Sequence, residues 1–457
     1  MIPRELNNAY TAWCAGASLR QRRKRFKDYT YGRQWGDIID LANGRRIKEM
    51  DFAIESGFRP LTNNLIRQMV KTVVGLYRRD YAAPFPEALA HTAARNSLAE
   101  LDARALEEFL ISGCAIQRIV SERRTGGNGV WVDNVSPENF FVNRFSDPRG
   151  CDIELVGMLH NMSCDEVAAR FGGNDPDRRQ RLKQMCLRAA DNSIVNTDSA
   201  GFFAAPSGRC RLIEVWTLRS LQAIKCYDPR TASIFFVPAT QARKISRTNS
   251  RRPKEQAIVF KAIDTARWHC TWFAPSGETV AAYLSPFAHG SHPFAIKFYP
   301  LTDGEVHPFV EDVIDQQKYV NRMITMIDNI MQTSAKGVLL FPEDRKPDGF
   351  TWNDIADIWS DCRGIIPYKS STRTNAMPTQ ITTSGATADA HRLLSTQLEL
   401  MEQISGVSGG LMGRNMPGNA SASLYQALAH HSTTALSDLL GTFADFIDKR
   451  NNIIATT

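Results

Sequence analysis

Few residues in this chain have the types and spacing that reactive chemistry needs. His289-Gly290-Ser291-His292-Pro293 sets two imidazoles three residues apart, a spacing that could begin a metal site, but glycine and proline make the segment a turn. His430-His431 falls in a helical pattern, where adjacent side chains diverge by about 100° and cannot chelate together. Gly409-Gly410-Leu411-Met412-Gly413-Arg414 has the glycines of a phosphate cradle but lacks the GK[ST] ending that would hold phosphate and metal. HExxH is absent, and no nucleophile has a base at a workable spacing. The residues therefore indicate no enzyme, no metal and no cofactor.

Charge offers more. Arg22, Arg23, Lys24 and Arg25 stand within RQRRKRFKDY, where they read either as a nucleic-acid contact or as a solvated helix face. The basic stretch Gln241–Gln256 reads as a loop, either solvated or binding phosphate. Net charge is +7 over 457 residues, which permits an anionic partner without requiring one. Nine cysteines without CxxC pairs fit reduced thiols in a cytosolic setting. No apolar run approaches the ~20 residues of a membrane helix, and MIPRELNNAY lacks a signal-peptide core.

The elements that position these residues follow from periodicity. His307 to Ser334 places Val310, Val313, Gln317, Val320, Ile324, Ile327 and Met331 on one stripe, with Asp315, Lys318 and Arg322 opposite. That predicts a rod of roughly 40 Å. Asn63 or Asn64 caps a helix through Tyr77, and a second helix covers about Ala93 to Ser112. CAIQRIVSER and VWVDNVS form a hairpin around Gly126-Gly127-Asn128-Gly129. Ser163 caps a helix, while Asp175 to Asp198 shows no pattern. LIEVWTL, AIKCYD, SIFFVP, AIVFKAI, RWHCTWF and TVAAYLS then read as short strands of an antiparallel sheet. Beyond the rod, Lys336–Ala386 holds strands GVLLF and GIIPY around a short helix at Trp352–Trp359. A helix over about Ala388–Ile404 buries Leu394, Leu398 and Met401, and after the Gly-rich Ser405–Ser423 a last helix runs to about Arg450. The fold class is α+β.

This order resembles the portal proteins of tailed bacteriophages, the branch that includes short-tailed phages. Pro293, Phe294 and Gly304 precede Asp315, Gln317 and Asn321, which match that branch's Asp-x-Gln-x-x-x-Asn helix. Thr62-Asn63-Asn64, Ser136-Pro137-Glu138-Asn139-Phe140 and Glu214-Val215-Trp216 also fit. The resemblance implies a wing over residues 1–305, stem helices at 306–335 and 387–404, and a clip at 336–386 inserted between them. It further implies a tunnel loop at 405–422 and a C-terminal helix at 423–457 with no long barrel.

It implies a homo-oligomeric ring, usually twelvefold, at one capsid vertex of the virion, assembled in the bacterial cytoplasm and conducting double-stranded DNA. The terminase large subunit, a head–tail adaptor and the major capsid protein or scaffold would be partners, and no membrane. Gly409, Gly410, Met412, Arg414, Asn415 and Asn419 would face DNA. Glu343, Asp344, Trp352, Asp354, Asp357, Trp359 and Asp361 would meet partners at the clip. Val313, Val320, Ile324 and Ile327 would pack the stem with Leu394, Leu398 and Met401. A nucleic-acid-processing enzyme, or a ring-shaped adaptor without a channel, remains the alternative.

Overall fold

Two runs of strand formers around a glycine-rich turn in residues 114–134 predict a strand pair, and the computed structural model has one there. It describes the whole chain except residues 1–2, 83–84, 125–126, 192–199, 207, 232, 239–241, 251, 254–255, 335–337, 361–365, 370–376, 382–385, 410 and 412–421. From the amino terminus come α1 (Arg4–Ala15), α2 (Ala17–Thr30), β1 (Ile38–Asp40), β2 (Arg46–Lys48), α3 (Glu49–Glu55) and α4 (Leu65–Leu76). A π-helical turn over Tyr77–Tyr81 leads to α5 (Ala90–Asn96) and α6 (Leu98–Ser112). The strand-rich part holds β3 (Cys114–Arg124), β4 (Gly127–Asn134), β5 (Phe140–Val142), β6 (Leu155–Met162), α7 (Cys164–Phe171), α8 (Pro176–Asp191) and α9 (Ala200–Phe203). It continues with β7 (Cys210–Asp228), β8 (Ser233–Pro238), α10 (Ala242–Asn249), β9 (Val259–Phe273), β10 (Thr279–Leu284), β11 (Phe294–Phe298), β12 (Leu301–Thr302) and β13 (Glu305–Val306). The rest is α11 (Phe309–Ser334), β14 (Val338–Leu340), α12 (Trp352–Ser360), β15 (Thr379–Ile381), α13 (Ala386–Ser405) and α14 (Ala422–Thr456).

The chain packs as two units, one of residues 1–24, 77–308 and 439–457, the other of 25–76 and 309–438. The first is built on an antiparallel sheet ordered β10-β9-β7-β6-β5, with β8 beside β7, and a second sheet ordered β11-β3-β4. Trp216 and Trp272 are fully buried in its core, and Phe140 meets Phe294 edge-on at 5.5 Å. Burying side chains of this size stabilises by about 1.5–3 kcal/mol each. Gly113 ends α6 with φ +70°, and a Cβ there would fall 2.3 Å from Val306. Only glycine fits that left-handed turn.

Several expectations need correction. LIEVWTL and AIKCYD are one strand, β7, because Arg219-Ser220-Leu221-Gln222 holds no glycine, proline, Asn or Asp to turn the chain. β9 also joins most of AIVFKAI to RWHCTWF. The helix expected over 93–112 breaks at Ser97, which adopts φ +50°. Its neighbour Asn96 is drawn to the hairpin edge, donating to Val130 O at 3.0 Å and accepting from Val132 N at 2.9 Å.

The stretch expected to lack pattern forms α8. Pro176 occupies its first position, and Asp175 Oδ1 accepts from Asp177 N and Arg178 N at 3.0 and 3.2 Å. Within the expected basic loop lies α10, held by Ile245 against Ile224, Cys226 and Ile258. In the 336–386 segment β14 pairs with β15, Val338 opposite Ile381, whereas Ile366–Tyr368 of GIIPY is not a strand.

Candidate functional site

The second unit is organised on α11. Three polar residues one turn apart, Gln317, Asn321 and Thr325, lie along one line of that helix and are buried. Gln317 Oε1 accepts from Leu65 N at 3.0 Å and Ile66 N at 3.3 Å, while its Nε2 donates to Asn63 O at 2.7 Å and Asn321 Oδ1 at 3.0 Å. Asn321 accepts from Asn63 N at 3.1 Å and donates to Gln34 Oε1 at 2.6 Å. Thr325 accepts from Leu61 N at 3.1 Å. Asn64 completes the capping of α4 by accepting from Arg67 N at 3.1 Å. The free N–H groups at the start of α4, which any helix must satisfy, are thus met by a helix distant in sequence.

A charged cluster runs beside this amide network. Lys318 Nζ lies 2.9 Å from Asp37 and 3.5 Å from Glu49, and Arg322 reaches Glu49 at 2.6 Å. Arg25 and Tyr29 also donate to Asp37, each at 2.9 Å. Burial would raise the Asp37 carboxyl, but hydrogen bonds from Arg25, Lys318 and Tyr29 outweigh it and hold it at about 2. The polar face of α11 therefore meets protein partners through Lys318 and Arg322, while Asp315 stays exposed.

On its apolar side α11 packs Met323 and Ile327 against Ala390 and Leu394 of α13. Of the expected stem residues, Val313, Val320, Ile327 and Met401 are buried, and Ile324, Leu394 and Leu398 half-buried. A second set of apolar residues stays exposed: Tyr319 and Met326 on α11, and Leu393, Leu400 and Ile404 on α13. Both sets step by sevens or fours, so each helix keeps an uncovered stripe.

The end of α13 leads into the Gly-rich segment. Gly406 adopts φ +67°, with a Cβ position 2.7 Å from Ala435, and Gly409 N donates to Glu402 Oε2 at 2.8 Å. Of the expected DNA-facing residues, Gly410, Met412, Arg414, Asn415 and Asn419 lie outside the described residues, as does Asp361 of the clip. Asp354 is spent locally, accepting from Thr351 N at 2.6 Å and Thr351 Oγ1 at 2.7 Å at the start of α12. Trp352 is exposed, with the Lys346 ammonium 5.1 Å from its ring centre, and Trp359 is half-buried. Of the other acids expected to meet partners, Glu343 and Asp357 are exposed and Asp344 is half-buried.

In the first unit Arg23 is buried, its guanidinium on Glu108 at 2.6 and 2.8 Å, and so is unavailable to a phosphate. Arg22 is half-buried and Lys24 exposed. His289 and His292 each spend Nδ1 on a backbone N–H, from Ser291 at 3.0 Å and Phe294 at 3.2 Å. Among the described residues no group of acidic, His or Cys side chains could hold a metal ion, and no helix is long and apolar enough to cross a membrane.

One constellation escaped the sequence reading. Glu214 is fully buried, 3.1 Å from Arg118, 2.7 Å from His160 Nε2 and 2.9 Å from Trp216 Nε1. Burial pushes the Glu214 carboxyl up, yet Arg118 and His160 hold it well below the usual carboxylate range. Burial lowers the His160 pKa against the opposing pull of Glu214, whose carboxylate accepts from the Nε2–H. Both carboxylate oxygens are taken, which makes this a structural knot rather than an acid–base pair. Its signals in the sequence were a glutamate midway along an apolar strand and the matching Glu214-Val215-Trp216, neither of which points to Arg118 or His160.

The matching motifs now have physical roles. Gln317 and Asn321 lace α11 to α4, Glu214 and Trp216 bond to each other, and Phe140 and Phe294 share a core. No curated protein matches the chain. Among protein families, Phage P22-like portal protein matches residues 6–455, nearly the full length. The chain belongs to the P22-like family of phage portal proteins.

Proposed function

We propose that copies of this chain close into a ring, twelve in number, at one capsid vertex of the virion, and that double-stranded DNA passes through its centre during packaging and ejection. The observation that carries this reading, within the family, is the pair of helices α11 and α13. They share one apolar seam, while Tyr319 and Met326 on one and Leu393, Leu400 and Ile404 on the other remain exposed at helical spacing. A neighbouring copy supplies the cover, α13 of one meeting α11 of the next, a head-to-tail contact that repeats until the circle closes.

The segment 405–422 faces the DNA in this reading. Its one cation, Arg414, is set among Gly, Ser, Asn and Met, so it touches phosphates without holding them tightly. The 336–386 segment presents acids and Trp352 to the terminase large subunit and later to a head–tail adaptor, and the outer part of the subunit contacts the major capsid protein or scaffold. Light scattering and negative-stain imaging of the purified protein test the ring. An annulus with a central hole wide enough for a duplex is expected. A compact monomer with no aperture overturns the reading.

A further inference from the structure

One stretch of the strand-rich unit carries charge that the rest of the chain does not. Residues 219–267 hold eleven Lys and Arg against three Asp and Glu, whereas the whole chain holds 55 against 48. This stretch therefore accounts for more than the chain's entire excess of +7. It is a folded arm. β7 and β9 pair along it from Arg219 opposite Arg267 to Tyr227 opposite Val259, β8 flanks β7, and α10 covers one face. Asn249 exchanges two hydrogen bonds of 2.8 Å with the Ile258 backbone, and Arg252 closes on Asp228 at 2.9 Å.

Successive side chains of a strand point to opposite faces. Ile224 and Cys226 face α10, so Arg219, Lys225 and Tyr227 face away from it, with their cross-strand partners Arg267, Lys261 and Val259. Two rungs thus set like charges directly opposite, Arg219 against Arg267 and Lys225 against Lys261. Such rungs destabilise a sheet unless an anion lies across them. Glu5 engages Arg219. Lys225, Lys261 and Arg267 are exposed, and none is within ion-pair distance of a carboxylate among the described residues. The acids of the paired strands do not help, since Asp228 and Asp264 belong to the α10 face. On that other side α10 itself exposes Arg243, Lys244 and Arg247.

The geometry points to this arm as a nucleic-acid contact that holds the phosphate backbone of a duplex without reading its sequence. The two rungs are six residues apart, roughly 20 Å. An acidic side chain meets one of them. A duplex, with a charge every ~1.7 Å of its axis, meets both. The contact goes beyond the proposed channel and does not depend on ring closure.

Binding of a short labelled duplex to the full chain, followed by anisotropy over a salt series, tests it. For Lys225→Gln/Lys261→Gln the affinity at low salt should fall roughly tenfold and the log–log salt slope by about two, one per lost phosphate contact. The melting temperature should hold or rise, because opposed charges are removed. Arg267→Gln, on the other rung, should lower the slope by about one, and serves if the double variant does not fold. Unchanged affinity and slope in the variants overturn the inference. So does a poly-glutamate chain that binds the parent as tightly as the duplex and is lost in the same variants, since the arm would then be an acidic-protein site. Images of variant rings identical to the parent's separate either failure from a failure of the proposed ring.

Discussion

The side-chain oxygen of Gln317 accepts the backbone N–H of Leu65 at 3.0 Å, a bond between residues 252 apart in sequence. The long helix thereby acts as the N-terminal cap of another helix, and the same amide donates to Asn63 O. Replacing Gln317 by Leu fills similar space but orphans the Leu65 and Ile66 N–H groups and the Asn63 carbonyl. Stability should fall by roughly 2–4 kcal/mol, read by urea unfolding, because each buried group left unpaired costs about 1–3 kcal/mol. Gln317→Glu, when ionised, turns a buried carboxylate oxygen on Asn63 O and Asn321 Oδ1, so it should also destabilise, and less so at low pH where the carboxyl can donate.

That bond also marks where sequence reading stops. Helix α11 was legible because its apolar residues repeat over 26 residues, and the β3–β4 hairpin because runs of strand formers bracket a glycine turn. Gln317 was placed on the stripe and in the matching motif, but its role as a cap was hidden, since a partner 252 residues away leaves no local pattern. α10 was missed because Ile245 is its one buried apolar residue among those described, too little for a periodic pattern. The two-residue Asp175-Pro176 signal before α8 was drowned by the polar residues that follow. Of the candidate site, the covered seam between α11 and α13 was readable, whereas the exposure of Leu393 and Leu400 needed the fold.

Asp37 should shape the acid limb of the stability curve. Its folded pKa, about 2, lies below the unfolded value of about 3.9. A depressed carboxylate contributes stability that is fully present above the unfolded value and is lost as pH falls through the folded one. Thermal unfolding of the parent should weaken between about pH 4 and pH 2. Asp37→Asn should start less stable at neutral pH, because Lys318 and Arg25 lose their acceptor, and should show a shallower decline over that window.

Arg450, on the last helix, is fully buried in a two-pronged bond to Asp102, at 2.9 and 3.1 Å. Arg450→Met leaves Asp102 buried without its cation and should destabilise by about 3–5 kcal/mol. Arg450→Met with Asp102→Leu removes both charges and should recover most of that loss. A double-mutant cycle by chemical denaturation measures the coupling. Additive losses would mean that packing of α14, with Phe443 against Phe109 and Tyr77, dominates instead.

Ser97 holds a left-handed conformation at φ +50° where α5 gives way to α6. A residue with a Cβ is strained there by roughly 1–2 kcal/mol, and glycine is not. Ser97→Gly should therefore raise stability by up to about 1 kcal/mol, after the entropy that glycine loses on folding. Thermal denaturation at neutral pH reads the gain. A loss would show that the Ser97 side chain contributes more than its backbone strain costs.

Leu393, Leu400 and Ile404 lie seven and four residues apart on α13, on the stripe that α11 of the same chain does not cover. If a second copy covers them, each gives about 1 kcal/mol or more per interface, since burial of the whole side chain is worth about 1.5–3 kcal/mol. A charge placed there must be desolvated at every contact around the ring. Leu400→Glu should abolish assembly in light scattering while leaving the circular dichroism and melting of the subunit almost unchanged. Leu394→Glu, on the seam with Met323 and Ile327, should instead unfold the second unit. Rings that persist in Leu400→Glu would place the subunit contact on another surface.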